Sequence, residues 1–131
     1  MAVPTVLIID DYELNMKLVE DLLTFNGYRA LTAYNAEDGV RLAREKKPDL
    51  ILMDMRLSGP GIDGWTATRL IKRDRETRHI PVVALTAQVW DSERERAIEA
   101  GCDEYITKPF NIYELKHCID GYLQAGAGAS V

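Results

Sequence analysis

The chain has 131 residues, the length of one domain, and two separate cores would not fit in it. Hydrophobic residues make up 47% and charged residues 28%, the ordinary composition of a soluble globular chain. Acids outnumber bases by 21 to 16, a net charge of −5, which argues against a general nucleic-acid binder. No apolar run approaches the roughly 18 residues of a membrane span. The start, MAVPTVLIIDD, lacks the basic region and small-residue cleavage site of a signal peptide. Two cysteines, Cys102 and Cys118, do not make a disulfide framework, so a cytoplasmic location is the expectation.

Taken in chain order, Thr5 to Ile9 is a continuous apolar run, as in a strand buried on both faces. An amphipathic helix follows, with Leu14, Leu18, Leu22 and Phe25 as its apolar stripe and Gly27 as its stop. Tyr28 to Ala33 reads as a second, edge strand. Asn35 can cap a helix through Lys47, which Pro48 closes. Leu50 to Met53 is a third strand, and the loop RLSGPGIDG leads to a helix from about Trp65 to Arg75. Pro81 introduces a strand from Val82 to Leu85. Asp91 can cap a short helix ending at Gly101, which offers only Ala97, Ile98 and Ala100 to a core and so should be weakly packed. Glu104 to Thr107 is a fifth strand. Asn111 caps a last helix with Ile112, Leu115, Ile119 and Tyr122 on one face. The domain is expected over 1–124, with 125–131 (AGAGASV) as a disordered tail.

Five β–α repeats predict an α/β three-layer sandwich, a parallel sheet with helices on both faces, in the flavodoxin-like order 2-1-3-4-5. Ligands of such sheets bind at the carboxyl ends of the strands. Asp10 and Asp11 follow the first strand, Asp54 the third, Thr86 the fourth, and Lys108 with Pro109 the fifth. Strands one and three are neighbours in that order, so three carboxylates should share one crevice with a hydroxyl and an ammonium. Clustered carboxylates repel and need compensating charge, which Lys108 and a hard divalent cation can supply. A few carboxylates with several waters is the usual way to hold Mg²⁺. A carboxylate beside a metal, a hydroxyl and a lysine suits phosphoryl transfer, where positioning and charge neutralisation dominate. Taken alone, Asp11 could equally cap the first helix, and Thr86 and Lys108 are ordinary loop residues.

The blocks VLIIDD, DLILMD, PVVALTA and GCDEYITKPF, in this order and spacing, resemble those of bacterial response-regulator receiver domains of the CheY-like kind. The resemblance runs from about Thr5 to Leu123. ELNMKL and HIPVVALTA further resemble stand-alone receivers. The resemblance implies that Asp54 accepts a phosphoryl group from a sensor histidine kinase or a phosphotransfer protein. It implies Mg²⁺, with Mn²⁺ as an alternative, on Asp10, Asp11, Asp54 and the backbone carbonyl of Arg56. Thr86 and Lys108 would contact the phosphoryl group, and Thr86 and Tyr105 would form the switch. The Lys108–Pro109 bond would be a cis candidate. A downstream partner would dock on the fourth helix, fifth strand and last helix, a surface that could also form a homodimer. Such a chain is not an enzyme in the turnover sense; it assists its own phosphorylation and dephosphorylation. The alternatives are a docking module that works mainly without phosphorylation and a receiver segment of a larger hybrid kinase.

Two departures stand out. Ser58 replaces the proline of the family pattern, and Gly64 comes two residues late after Asp54. Arg56 is bulky and basic beside the site. GPGIDG, residues 59–64, matches the dinucleotide fingerprint G-x-G-x-x-G literally, but the next strand ends in Thr86 with no ribose-binding acid. A haloacid-dehalogenase-type phosphatase would need Asp-x-Asp, which the adjacent Asp10 and Asp11 do not give. His79, His117, Cys102 and Cys118 lack zinc-site spacing.

Overall fold

A computed structural model describes residues 3–57, 61–86, 91–109 and 111–128. Five strands and five helices alternate along it: β1 (Thr5–Ile9), α1 (Glu13–Phe25), β2 (Arg29–Ala33), α2 (Ala36–Lys46), β3 (Leu50–Asp54), α3 (Gly64–Arg73), β4 (Val82–Thr86), α4 (Asp91–Ala100), β5 (Glu104–Thr107) and α5 (Ile112–Gly128). All strand pairs are parallel, and the order is β2-β1-β3-β4-β5. The expected flavodoxin-like sandwich is the observed one.

The sheet is apolar on both faces, so its alternating side chains divide into two cores. Leu7, Ile9, Ile51, Met53, Val82 and Ala84 pack with residues of α2, α3 and α4. Val6, Ile8, Leu50, Leu52, Val83 and Leu85 pack with residues of α1 and α5. That period of two explains why β1, β3 and β4 read as unbroken apolar runs. Close packing needs a glycine in α2: a Cβ on Gly39 would overlap the Ile9 side chain.

Helix ends follow the chemistry of their capping residues. The Asn35 side chain accepts from the Asp38 N–H at 2.8 Å and starts α2. The Asp63 side chain does the same for α3 through the Thr66 N–H at 2.8 Å. Asn111 accepts from the Tyr113 N–H at 2.8 Å ahead of α5. Gly27, at φ 83°, supplies the left-handed turn after α1. The predicted cap Asp91 begins α4, and its side chain lies outside the described residues, as do those of Ala97 and Ser58.

Three expectations need correction. The buried stripe of α1 is Met16, Val19 and Leu23, not Leu14, Leu18 and Phe25. Leu14 is 66% exposed and Phe25 91%. The helix carries two apolar stripes roughly 150° apart around its axis, and only one can face the sheet. In α4, Ala100 enters the core as expected, but Ile98 turns outward at 65% exposure. Finally, α5 runs to Gly128, into the stretch expected as a tail. Residues 129–131 lie outside the described ones.

The corrected stripe is testable by urea unfolding. Leu23→Ala should cost about 2–4 kcal/mol, since it empties a filled site. Leu14→Ala and Phe25→Ala should each stay within about 0.5 kcal/mol, as surface changes do.

Candidate functional site

The carboxyl ends of β1 and β3 lie side by side, with Ile9 in register with Met53. Their next residues therefore share one crevice. Oxygen atoms of Asp10, Asp11 and Asp54 all lie within 4.8 Å of one another. Asp10 and Asp54 are nearly sealed from solvent, at 1% and 5% exposure, while Asp11 is half-buried.

The two adjacent acids divide the labour. One Asp10 oxygen accepts from the Tyr12 N–H at 2.9 Å, closing the turn out of β1. Asp10's own N–H donates to the Ala33 carbonyl at 3.1 Å, which ties that turn to β2. The N-cap position of α1 falls on Tyr12, one residue beyond Asp11, and the Tyr12 side chain makes no capping hydrogen bond.

Asp54 is held on both oxygens. Oδ1 accepts from the Arg56 N–H at 3.1 Å. Oδ2 faces the Lys108 ammonium at 3.4 Å. The same ammonium lies 3.4 Å from Oδ2 of Asp10, so one lysine bridges the carboxylates of two strands. Burial pushes the Asp54 carboxyl above its ordinary value; the Lys108 charge pulls it back, the Asp10 charge adds to the rise, and the Arg56 N–H opposes it.

Lys108 owes its place to β5. Its N–H donates to the Thr86 carbonyl at 2.6 Å, which fixes the ends of β4 and β5 together. Its bond to Pro109 is cis. Thr86 is buried at the end of β4, next to the strand that ends in Asp54. Tyr105 is half-buried in β5 and packs against the core under α2, α3 and α4. All the residues singled out by the strand-end argument thus lie along one edge of the sheet. Arg56 reaches the site through its backbone N–H, which donates to Asp54.

The donor set fits a hard divalent cation: three carboxylates, converging and crowded, in a half-open crevice. It does not fit a dinucleotide. In the G-x-G-x-x-G stretch, Gly61 takes φ 108° and lies against the Glu37 carboxylate, which also accepts from the Ile62 N–H at 3.4 Å. A negative group in that position repels a pyrophosphate. Gly64 is there for packing: a Cβ would overlap the backbone carbonyl of Asp54. Gly59 and Ser58 lie outside the described residues. The cysteines are quiet, with burial pushing the thiols of Cys102 and Cys118 up to about 11 and about 12.

One contact escaped the sequence. The Arg96 guanidinium carbon of α4 sits 4.9 Å from the centre of the Trp65 ring of α3. Neither residue carries a motif, and only the fold brings them together.

Comparison with known proteins agrees with this geometry. Residues 6–120 match the family model described as the response regulator receiver domain. The chain is 43% identical over 119 residues to the polar-differentiation response regulator DivK of Brucella anthropi, covering 91% of this chain and 95% of the relative. It is similar to the receiver domain of a sensor histidine kinase of Pseudomonas aeruginosa, solved with a magnesium ion coordinated in its active-site cleft. That match has 35% identity and a TM-score of 0.84, covering 92% of this chain and 98% of the other. A chemotaxis response regulator of Vibrio cholerae, 21% identical, shares the fold at a TM-score of 0.86 over 93% of this chain and all 100% of its own. Among the described residues no helix is long and apolar enough to cross a membrane. The chain belongs to the response-regulator receiver-domain family.

Proposed function

We propose that this receiver domain is the phosphoacceptor of a two-component or phosphorelay system, that Asp54 is the acceptor, and that Mg²⁺ is the resident ion. The observation that carries the reading is the Lys108 ammonium placed 3.4 Å from both Asp10 and Asp54, at the mouth where their carboxylates meet Asp11.

In the transfer, an Asp54 carboxylate oxygen attacks phosphorus as the bond to the donor's imidazole nitrogen breaks. The imidazole leaves with its electron pair, and Asp54 carries an acyl phosphate. Asp10, Asp11, Asp54 and the Arg56 carbonyl would hold Mg²⁺, with Mn²⁺ as a substitute. The ion's part is to neutralise phosphoryl oxygens. Lys108 neutralises another oxygen of the group, and the Thr86 hydroxyl donates a hydrogen bond to it. Phosphorylation adds about 1.5–2 negative charges. Thr86 moves toward them, Tyr105 follows into the space, and α4 shifts. The α4, β5 and α5 face then changes its downstream partner or its tendency to pair with a second copy. The protein is consumed once per cycle and so is an acceptor, not a turnover enzyme. Its reactions belong in the cytoplasm, where kinases of this class present their phosphohistidine.

The donor's docking face begins beside the site. Tyr12, immediately after Asp11, and Leu14, in the first turn of α1, are exposed, and Leu18 continues the apolar face of that helix. A donor that reaches Asp54 meets them.

Intact mass after acetyl phosphate and Mg²⁺ should show one added phosphoryl group, absent with chelator and lost in Asp54→Asn. Labelling that survives the substitution would move the acceptor elsewhere.

Leu14→Asp should slow transfer from a phosphohistidine protein about tenfold or more, while leaving acetyl phosphate labelling unchanged, since only a protein donor needs the face. Equal losses with both donors would place Leu14 in the chemistry instead.

Charge crowding gives a stability test. The Asp54 carboxyl is raised in the fold, so its contribution is present at low pH and lost as pH rises through the folded value. In chelator at neutral pH, Asp54→Asn should melt above the parent. The gap should close below the ordinary carboxyl value of 3.8.

A further inference from the structure

Among the described residues, α4 has few anchors. Ala100 enters the core, whereas Glu95, Ile98 and Glu99 are exposed. Its other hold is Arg96, stacked 4.9 Å from the centre of the buried Trp65 ring. A guanidinium at that distance from an indole face is within cation–π range. Asp63 lies close by. Burial raises its carboxyl, but the Thr66 N–H and hydroxyl, then the charges of Arg96 and Arg69, bring it below its ordinary value.

Trp65 is the second residue of α3, and the first is fixed to the acceptor's own strand. The Gly64 N–H donates to the Met55 carbonyl at 3.3 Å. Gly64 also packs so closely on the Asp54 carbonyl that no Cβ would fit between them. The contact path from Asp54 to α4 is therefore short: the backbone of Asp54 and Met55, then Gly64, Trp65 and Arg96. It reaches α4 without passing through Thr86.

We propose that the Arg96–Trp65 stack is a latch that couples the backbone around Asp54 to the position of α4, by a route separate from Thr86 and Tyr105. The latch rests on the reading of Asp54 as acceptor and of α4 as the element that shifts. The stack holds α4 where it lies in this structure, and a shift of α4 must break it. It therefore opposes the phosphoryl-bound arrangement. By linkage, weakening the stack tightens phosphoryl binding by the same factor. One exposed cation–π contact is weak enough to bias such an equilibrium without freezing it.

The test titrates beryllofluoride with Mg²⁺, a non-covalent mimic of the acyl phosphate, into the full chain by calorimetry. Arg96→Met keeps side-chain length without charge, and Trp65→Leu keeps an apolar filler. Each should bind the mimic about three- to tenfold more tightly than the parent. Arg96→Lys should fall between, since a point charge stacks less well than a planar guanidinium. The double variant should gain no more than either single one, because both remove the same contact. Affinity of Arg96→Met within about twofold of the parent overturns the latch, as do single effects that add in full. If melting shows that Trp65→Leu no longer folds, Arg96→Met decides alone, since Arg96 is exposed. A parent chain that takes up neither the mimic nor a phosphoryl group overturns the reading of Asp54 itself, a different failure from a parent that binds while the variants match it.

Discussion

The site depends on one ammonium between two buried carboxylates. Lys108 lies 3.4 Å from Asp10 and from Asp54, which are themselves almost without solvent. Three acids this close repel one another, and its charge offsets part of that repulsion. The lysine needs an address as exact as that of the acids, and the backbone bond from its N–H to the Thr86 carbonyl supplies one. β5 is thus a necessary part of a site whose carboxylates come from β1 and β3. A cation can then complete the charge balance, because Lys108 alone cannot neutralise three negative groups.

The strand order makes this economical. β1 and β3 are adjacent although a whole β–α unit separates them in the chain. Every parallel strand delivers its carboxyl end to the same edge, so each can give one or two functional residues from its last position or the first ones past it. The acids lie where the strand ends and the turn begins, so part of their hydrogen bonding goes to the turn. Asp10 holds the Tyr12 N–H, and Asp54 holds the Arg56 N–H. The same bonds that shape the loops orient the oxygens that face the crevice.

Most of this was legible in the residues. The apolar runs fixed β1, β3 and β4 because a doubly covered parallel strand has no polar face to confuse the pattern. The site followed, since strand ends and strand order are enough to gather Asp10, Asp11, Asp54, Thr86 and Lys108. What was not legible lies one level higher. α1 has two apolar stripes, Met16–Val19–Leu23 and Leu14–Leu18–Phe25, and periodicity does not say which one meets the sheet. The answer is set by how the chain leaves Asp10 and returns through Gly27. α4 posed the opposite problem, too few apolar residues to show a face. Its Arg96–Trp65 contact joins elements distant in sequence, and neither residue type is unusual where it stands.

The charges also divide by edge. At the edge opposite the site, Arg44 pairs with Asp74, Lys47 with Glu76 and Lys72 with Asp103. Lys72 also donates to the Ile80 carbonyl, and Asp103 accepts from the Val82 N–H, so that pair anchors the start of β4. Most of these side chains are exposed, and each exposed pair contributes little, about 0–1 kcal/mol. Their effect is positional: they tie α2, α3 and the loop before β5 at the end where nothing has to move. At the site edge, among the described residues, α4 is held by a small core residue, Ala100, and one stacked guanidinium, Arg96. The net charge of −5 is therefore unevenly spent. Bases close the fixed edge, while the working edge keeps carboxylates crowded enough to want a cation and a helix loose enough to respond.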